Sequence, residues 1–168
     1  DLGLGDSVWP QLQMSAYPSL LEFPAPRILT YPPEAVIAEK LEAIAVLGDR
    51  NSRIKDFFDL KYLAGRFEFD RPTLVEAFRR TLEQRRTPIP AEEPVGLTTV
   101  YWENPSRAAQ VRAFARRAGL PVIADPGPEI LEALRPFLLP ILDDLRMGIE
   151  RPGTWKAGGP WQPGSADF

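Results

Sequence analysis

Between Tyr31 and Gly65 the sequence commits the chain to two successive helices, and both carry charge where core residues are expected. The first opens at Tyr31-Pro32-Pro33-Glu34. Proline suits a first helical turn, where its missing N–H has no intrahelical partner, and Glu34 suits the positive end of the helix dipole. Gly48 supplies the stop, so a helix to Leu47 is predicted. At about 100° per residue, Ile37, Leu41, Ala43, Ile44 and Leu47 form an apolar arc, with Glu39 and Glu42 on the other side. Lys40 falls inside the arc.

The second helix is predicted over about residues 53–65, with Asn51 or Ser52 placed to cap it. Phe57, Phe58, Leu60, Tyr62, Leu63 and Ala64 surround its axis, the pattern of a helix buried on all sides. Asp56 projects between Leu60 and Leu63, and Asp59 shares its face. Taken singly, Lys40 reads as a lysine whose stem is buried and whose ammonium reaches water. Asp56 alone reads as a first-turn carboxylate favoured by the dipole. Taken together they predict something else. A buried charge is costly unless paired, so the side chains of Lys40 and Asp56 should meet across the hairpin or face one common cavity.

Elsewhere the signals are plainer. Residues 1–6, Ser19–Phe23 and Arg27–Thr30 read as short strands, and 9–19 as a loop. Pro72 opens a helix to about Arg86, with Leu74, Val75, Phe78 and Leu82 inward. A proline-bearing connection fills 87–104. A basic helix follows over 105–118, whose Arg107, Arg112, Arg116 and Arg117 read as a solvated face or an RNA-backbone contact. An acidic helix over 129–147 should kink at Pro136 and Pro140. The tail from Pro152, with Trp155 and Trp161 as packing residues, is expected to be loosely docked or mobile. The fold class is α+β, mainly α, with about five helices.

The 168 residues include no cysteine and no histidine. That excludes disulfides, thiolate zinc sites, imidazole general bases and Ser–His–Asp nucleophiles together. Metal-assisted phosphoryl chemistry tolerates such a composition best, because it needs positioned charge more than a tuned imidazole. A net charge of −3 argues against a nucleic-acid-coating protein while allowing a local basic face. No apolar run approaches the roughly 20 residues of a membrane span. With no signal-peptide pattern either, a soluble cytoplasmic protein is expected.

Two stretches together resemble one family. Tyr31-Pro32-Pro33-Glu34-Ala35-Val36-Ile37-Ala38-Glu39-Lys40-Leu41-Glu42-Ala43 is similar to its Ile/Val-x-x-Glu-Lys helix. Ser52-Arg53-Ile54-Lys55-Asp56-Phe57-Phe58-Asp59-Leu60 is similar to its Arg-x-Lys-Asp motif with a following Asp-Leu. These are the two C-terminal motifs of the AbiEii/AbiGii-type nucleotidyltransferase toxins. Asp1-Leu2-Gly3-Leu4-Gly5-Asp6 and Phe23-Pro24-Ala25-Pro26-Arg27 also resemble members of the group.

The resemblance implies the end of a polymerase-β-like sheet over 1–31, a helical region with the C-terminal active-site motifs over 32–148, and a tail over 149–168. It implies transfer of a nucleotidyl group from a nucleoside triphosphate (NTP), with Mg²⁺, to an acceptor such as tRNA, opposed by a cognate antitoxin. Lys40 would hold the triphosphate and Asp56 would be the carboxylate of the last motif. Arg53 and Lys55 would assist nucleotide binding, Glu39 and Asp59 would support them, and Asp1 would lie near the metal. The family's Gly-Ser turn and following Asp-x-Asp pair have no counterpart here, since no Asp-x-Asp occurs and the one Gly-Ser is Gly164-Ser165. The chain begins at Asp1 inside an apparent strand. It is therefore expected to be the C-terminal part of a longer enzyme, inactive by itself. The competing expectation is a non-enzymatic helical module that binds an antitoxin or RNA, with Lys40 and Asp56 as a structural ion pair.

Overall fold

Proline and glycine set most helix boundaries in the computed structural model, which describes residues 8–16, 24–121 and 125–164. Helix α1 runs Pro33–Leu47 and ends at Gly48, whose φ of 50° favours glycine. Helix α2 runs Ile54–Arg66. Helix α3, Arg71–Arg85, has Pro72 in its first turn and is capped by Asp70, whose carboxylate accepts from Thr73 N–H at 3.0 Å. Helix α4 is short, Thr99–Glu103, and α5 runs Pro105–Ala118 to Gly119. Helix α6, Pro126–Met147, is the longest. The fold is α+β and mainly α, with six α-helices among the described residues rather than about five.

The strands are few and antiparallel. β1 (Gln13–Ala16) pairs with β2 (Arg27–Thr30), with Gln13 opposite Thr30. The sequence reading gave 13–16 to a loop. Gln-Met-Ser-Ala is a poor strand former, and its conformation follows from pairing with β2. The candidate strands at 1–6 and 19–23 lie outside the described residues, as does Asp1. A second sheet, ordered β3-β4-β5, joins Phe69–Asp70 to Gly153–Trp155 and Trp161–Pro163.

One core joins these pieces. Leu41 and Ile44 of α1, Phe57 and Leu60 of α2, Phe78 of α3, Tyr101 of α4 and Leu134, Phe137 and Leu138 of α6 are all buried in it. The inward residues expected on α3 are buried as expected, and α6 buries Leu131, Leu134, Phe137, Leu138, Ile141, Leu142 and Leu145. Four expectations change. α2 is not buried all round: Tyr62 is exposed, and Phe58 and Leu63 are only partly covered. α1 is covered on its Glu42 side too, because α3 packs there. The connection over 87–104 is not plain loop, since Leu97 and Tyr101 are fully buried. Finally, α6 begins at Pro126, three residues early.

Nor is the tail loose around its tryptophans. Trp155 is buried, donates its indole N–H to the Ala64 carbonyl at 2.7 Å, and packs on Phe137 with ring centroids 4.8 Å apart. Trp161 stacks on Phe137, meets Trp155 edge-on with ring centroids 5.5 Å apart, and donates to the Phe137 carbonyl at 3.0 Å. Replacing a buried tryptophan by alanine removes packing and leaves a cavity. Trp155→Ala should therefore lower the unfolding free energy by about 3–5 kcal/mol, read as a lower urea midpoint. A loss below about 1 kcal/mol would contradict this packing.

Candidate functional site

Lys40 lies in the third turn of α1 and Asp56 in the first turn of α2. The hairpin brings Lys40 Nζ to 2.6 Å from Asp56 Oδ1 and 2.8 Å from Asp59 Oδ2. The predicted meeting of Lys40 with Asp56 across the hairpin is thus present. The Lys40 side chain is 15% exposed and that of Asp56 4%, so the pair sits at the inner end of the cluster. Arg53 and Lys55 lie at its solvent edge. Lys55 Nζ is 2.5 Å from Asp59 Oδ2. Arg53 Nε is 2.6 Å from Asp56 Oδ2. That contact is charge pairing without an aligned N–H, and Oδ2 has no hydrogen-bond donor.

Glu39 stands apart. It pairs with Arg85 of α3 at 3.5 Å. Its neighbour Glu42 is buried and accepts from Arg85 at 2.6 Å and from Thr87 Oγ1 at 2.7 Å. These carboxylates tie α1 to α3. They are not among the partners of Lys40.

Electrostatics follow from this geometry. Burial alone lowers the pKa of Lys40, but hydrogen bonds and charge attraction from Asp56 and Asp59 outweigh it, and the pKa is raised. Burial alone raises the pKa of Asp59, but Lys40 and Lys55 outweigh it, and the pKa is lowered.

The loop that starts α2 is held by residues far away in sequence. Asn51 is fully buried. Its Oδ1 accepts from Arg53 N–H at 2.8 Å, so neither Asn51 nor Ser52 caps α2 in the expected way. The Asn51 carbonyl accepts from Tyr101 Oη at 2.8 Å and from Arg107 at 2.7 Å. Arg107 also donates to the Asp49 carbonyl, and its guanidinium lies 4.1 Å over the Tyr101 ring. Sequence reasoning placed Arg107 with the solvated arginines of α5. It is buried, while Arg112, Arg116 and Arg117 are exposed. The signal was there: Arg107 is in phase with the buried Val111 and Ala115 at spacings of four and eight.

Lys40, Arg53 and Lys55 face Asp56 and Asp59, three positive charges against two negative. Such a cluster suits a phosphate group. It does not suit a divalent cation. The enclosed Oδ2 of Asp56 is approached by Arg53, and no group of three or more acidic residues able to hold a metal occurs among the described residues. The largest cavity described lies elsewhere, between α4 and α6, with an acidic rim that would repel a triphosphate. No described helix is long and apolar enough to cross a membrane.

A helical domain presenting a phosphate-compatible lysine–aspartate pair fits the nucleotidyltransferase class. Residues 1–136 match the family model described as nucleotidyl transferase AbiEii toxin, Type IV TA system. The chain belongs to that family, which associates it with nucleotidyltransferase toxins and hence with nucleotide substrates and an antitoxin. No curated protein and no solved structure matches it.

Two measurements test the electrostatics and the loop. A lowered Asp59 pKa contributes stability above its unfolded value, about 3.9, that is lost as pH falls through the folded one. A raised Lys40 pKa contributes stability below about 10.4 that is lost as pH rises through the folded value. Asp59→Asn should flatten the acid limb of the pH–Tm curve, and Lys40→Met the alkaline limb. An acid limb unaltered by Asp59→Asn would count against this ion pairing. Separately, Arg107→Met removes the donor to the Asp49 carbonyl and one of the two donors to the buried Asn51 carbonyl, and should cost about 1–3 kcal/mol in urea unfolding. An exposed arginine such as Arg112 should cost close to nothing when changed in the same way.

Proposed function

We propose that residues 32–148 carry the triphosphate side of the active site of a nucleotidyltransferase toxin. In this reading 1–31 are the end of the α/β core and 149–168 a tail. The observation that carries the proposal is the Lys40 ammonium held between Asp56 and Asp59. An ammonium has three N–H donors, and two carboxylates engage two of them. The third remains for a phosphate oxygen, and the compact charge of lysine suits that task. Asp56 and Asp59 fix the ammonium in place, so it does not need reorganisation when the nucleotide arrives. Arg53 and Lys55, at the open edge, add positive charge toward the same nucleotide. Asp56 is the carboxylate of the last motif and orients Lys40.

The reaction is transfer of a nucleotidyl group from an NTP to an acceptor, for which we favour tRNA in the cytoplasm. The exposed Arg112, Arg116 and Arg117 of α5 support a polyanionic acceptor. The Mg²⁺ that such chemistry calls for finds no ligand set among the described residues. The chain alone is accordingly read as inactive, and its activity as a property of a longer protein opposed by an antitoxin.

A second reading has its own observation. Lys40 is already satisfied by two carboxylates, as a structural ion pair would be. Truncating one member of a buried pair is destabilising in either case, whereas replacing both by apolar residues of similar size is often tolerated. The test therefore uses the double variant Lys40→Met/Asp56→Leu beside Lys40→Ala and Asp56→Ala, all in the full-length gene product. Transfer of labelled nucleotide to RNA should fall by at least about 10²-fold in each, some 2.7 kcal/mol of lost transition-state stabilisation. Circular dichroism of the double variant should match the wild type. Transfer at wild-type level by the folded double variant would establish the structural reading instead. Chelation should stop transfer and added Mg²⁺ should restore it.

A further inference from the structure

The cavity between α4 and the first half of α6 encloses about 590 Å³ and shares no residue with the Lys40 cluster. Its size is that of a ligand site. The floor is apolar, made chiefly by Trp102 and Leu131. Gly127 lets the start of α6 press against the indole, because a Cβ there would lie 2.6 Å from Trp102 Cβ. The indole N–H is used elsewhere, donating to the Gly96 carbonyl at 3.1 Å, and the ring edge packs on Phe57 at a centroid distance of 5.0 Å. Trp102 is therefore held still.

Three carboxylates stand round this floor: Glu103, Asp125 and Glu132. Asp125 accepts from Gly127 N–H at 3.3 Å as the cap of α6. Glu103 and Glu132 are exposed and have no ion-pair partner among the described residues. The one cation in the lining, Arg135, is already engaged by Glu93 at 3.2 Å and by the Leu97 carbonyl at 3.4 Å. An indole flanked by free carboxylates selects a cation on an apolar stem. The stem lies on Trp102 and Leu131, and the head group reaches Glu103 and Glu132. The lining on α6 continues from Pro128 to Pro136, about 12 Å along the axis. That is the span of three or four residues of extended chain, longer than a lone amine needs.

We propose that this groove docks a short extended segment of a partner protein that carries arginine or lysine beside apolar residues. The proposal does not rest on the nucleotidyltransferase reading, since the groove and the Lys40 cluster have no residue in common.

The test follows the Trp102 indole N–H by ¹⁵N NMR in the intact chain, assigned with Trp102→Phe. The probes are acetylated, amidated tetrapeptides of sequence Leu-Arg-Leu-Arg, Leu-Gln-Leu-Gln and Leu-Glu-Leu-Glu. The arginine peptide should shift the Trp102 resonance with a Kd below roughly 1 mM and bind at least about tenfold more tightly than the other two. The double variant Glu103→Gln/Glu132→Gln should lose about tenfold in affinity while its remaining spectrum is unchanged. Equal binding of the glutamine peptide would overturn the proposal, showing an apolar pocket without charge selection. So would a Trp102 resonance that stays put, or a double variant that binds as the wild type does.

Discussion

The ion pair between Lys40 and Asp56 is the constraint around which the hairpin is built. Desolvating either charge alone would be prohibitive, so each helix needs the other. Asp59, one turn along α2, pairs with the same Lys40 ammonium at 2.8 Å and is itself held by Lys55. The result is a polar centre in a hairpin otherwise fastened by Leu41, Ile44, Phe57 and Leu60. A charged pair contributes little net stability against an apolar pair of the same size. Under the proposed function, the pair is accounted for by what a fixed ammonium does for a phosphate rather than by folding energy.

Positioning that centre takes more of the chain than the hairpin. The entry to α2 is an irregular loop, which unaided would vary in conformation. Asn51, Tyr101 and Arg107 remove that freedom, since two side chains from α4 and α5 bond to one buried carbonyl. Arg107 has no carboxylate among its partners. Its charge is stabilised by the Asp49 and Asn51 carbonyls of the loop between α1 and α2 and by the face of Tyr101.

Buried charge recurs, and each time it joins elements distant in sequence. Glu42 binds α1 to Arg85 of α3. Asp144, fully buried on α6, accepts from Arg71 at 2.6 Å and from Arg151 at 3.0 Å, fixing α3 and the tail to one helix. Directional pairs of this kind admit few alternative packings of helices whose apolar faces would otherwise slide. The tryptophans of the tail complete the closure by forming one aromatic cluster with Phe137.

The sequence by itself determined the helices and the charged centre. Proline at the first turns and glycine past the last are local rules, so the ends of α1, α3 and α5 were legible from residues alone. Lys40 and Asp56 were legible for a related reason: charge inside an apolar stripe is visible in one dimension and demands a partner. Tertiary structure decided what depends on chain segments meeting. Gln13–Ala16 is a strand only because β2 lies beside it. Leu97 and Tyr101 sit in a segment too short to show a period, and burial came from the helices around them. Glu42 looked solvent-facing until α3 covered it. Arg107 lay on the apolar phase of its own helix, yet charge obscured that signal until Asn51 supplied the acceptor. Local backbone chemistry writes itself into sequence, whereas the identity of a distant hydrogen-bond partner does not.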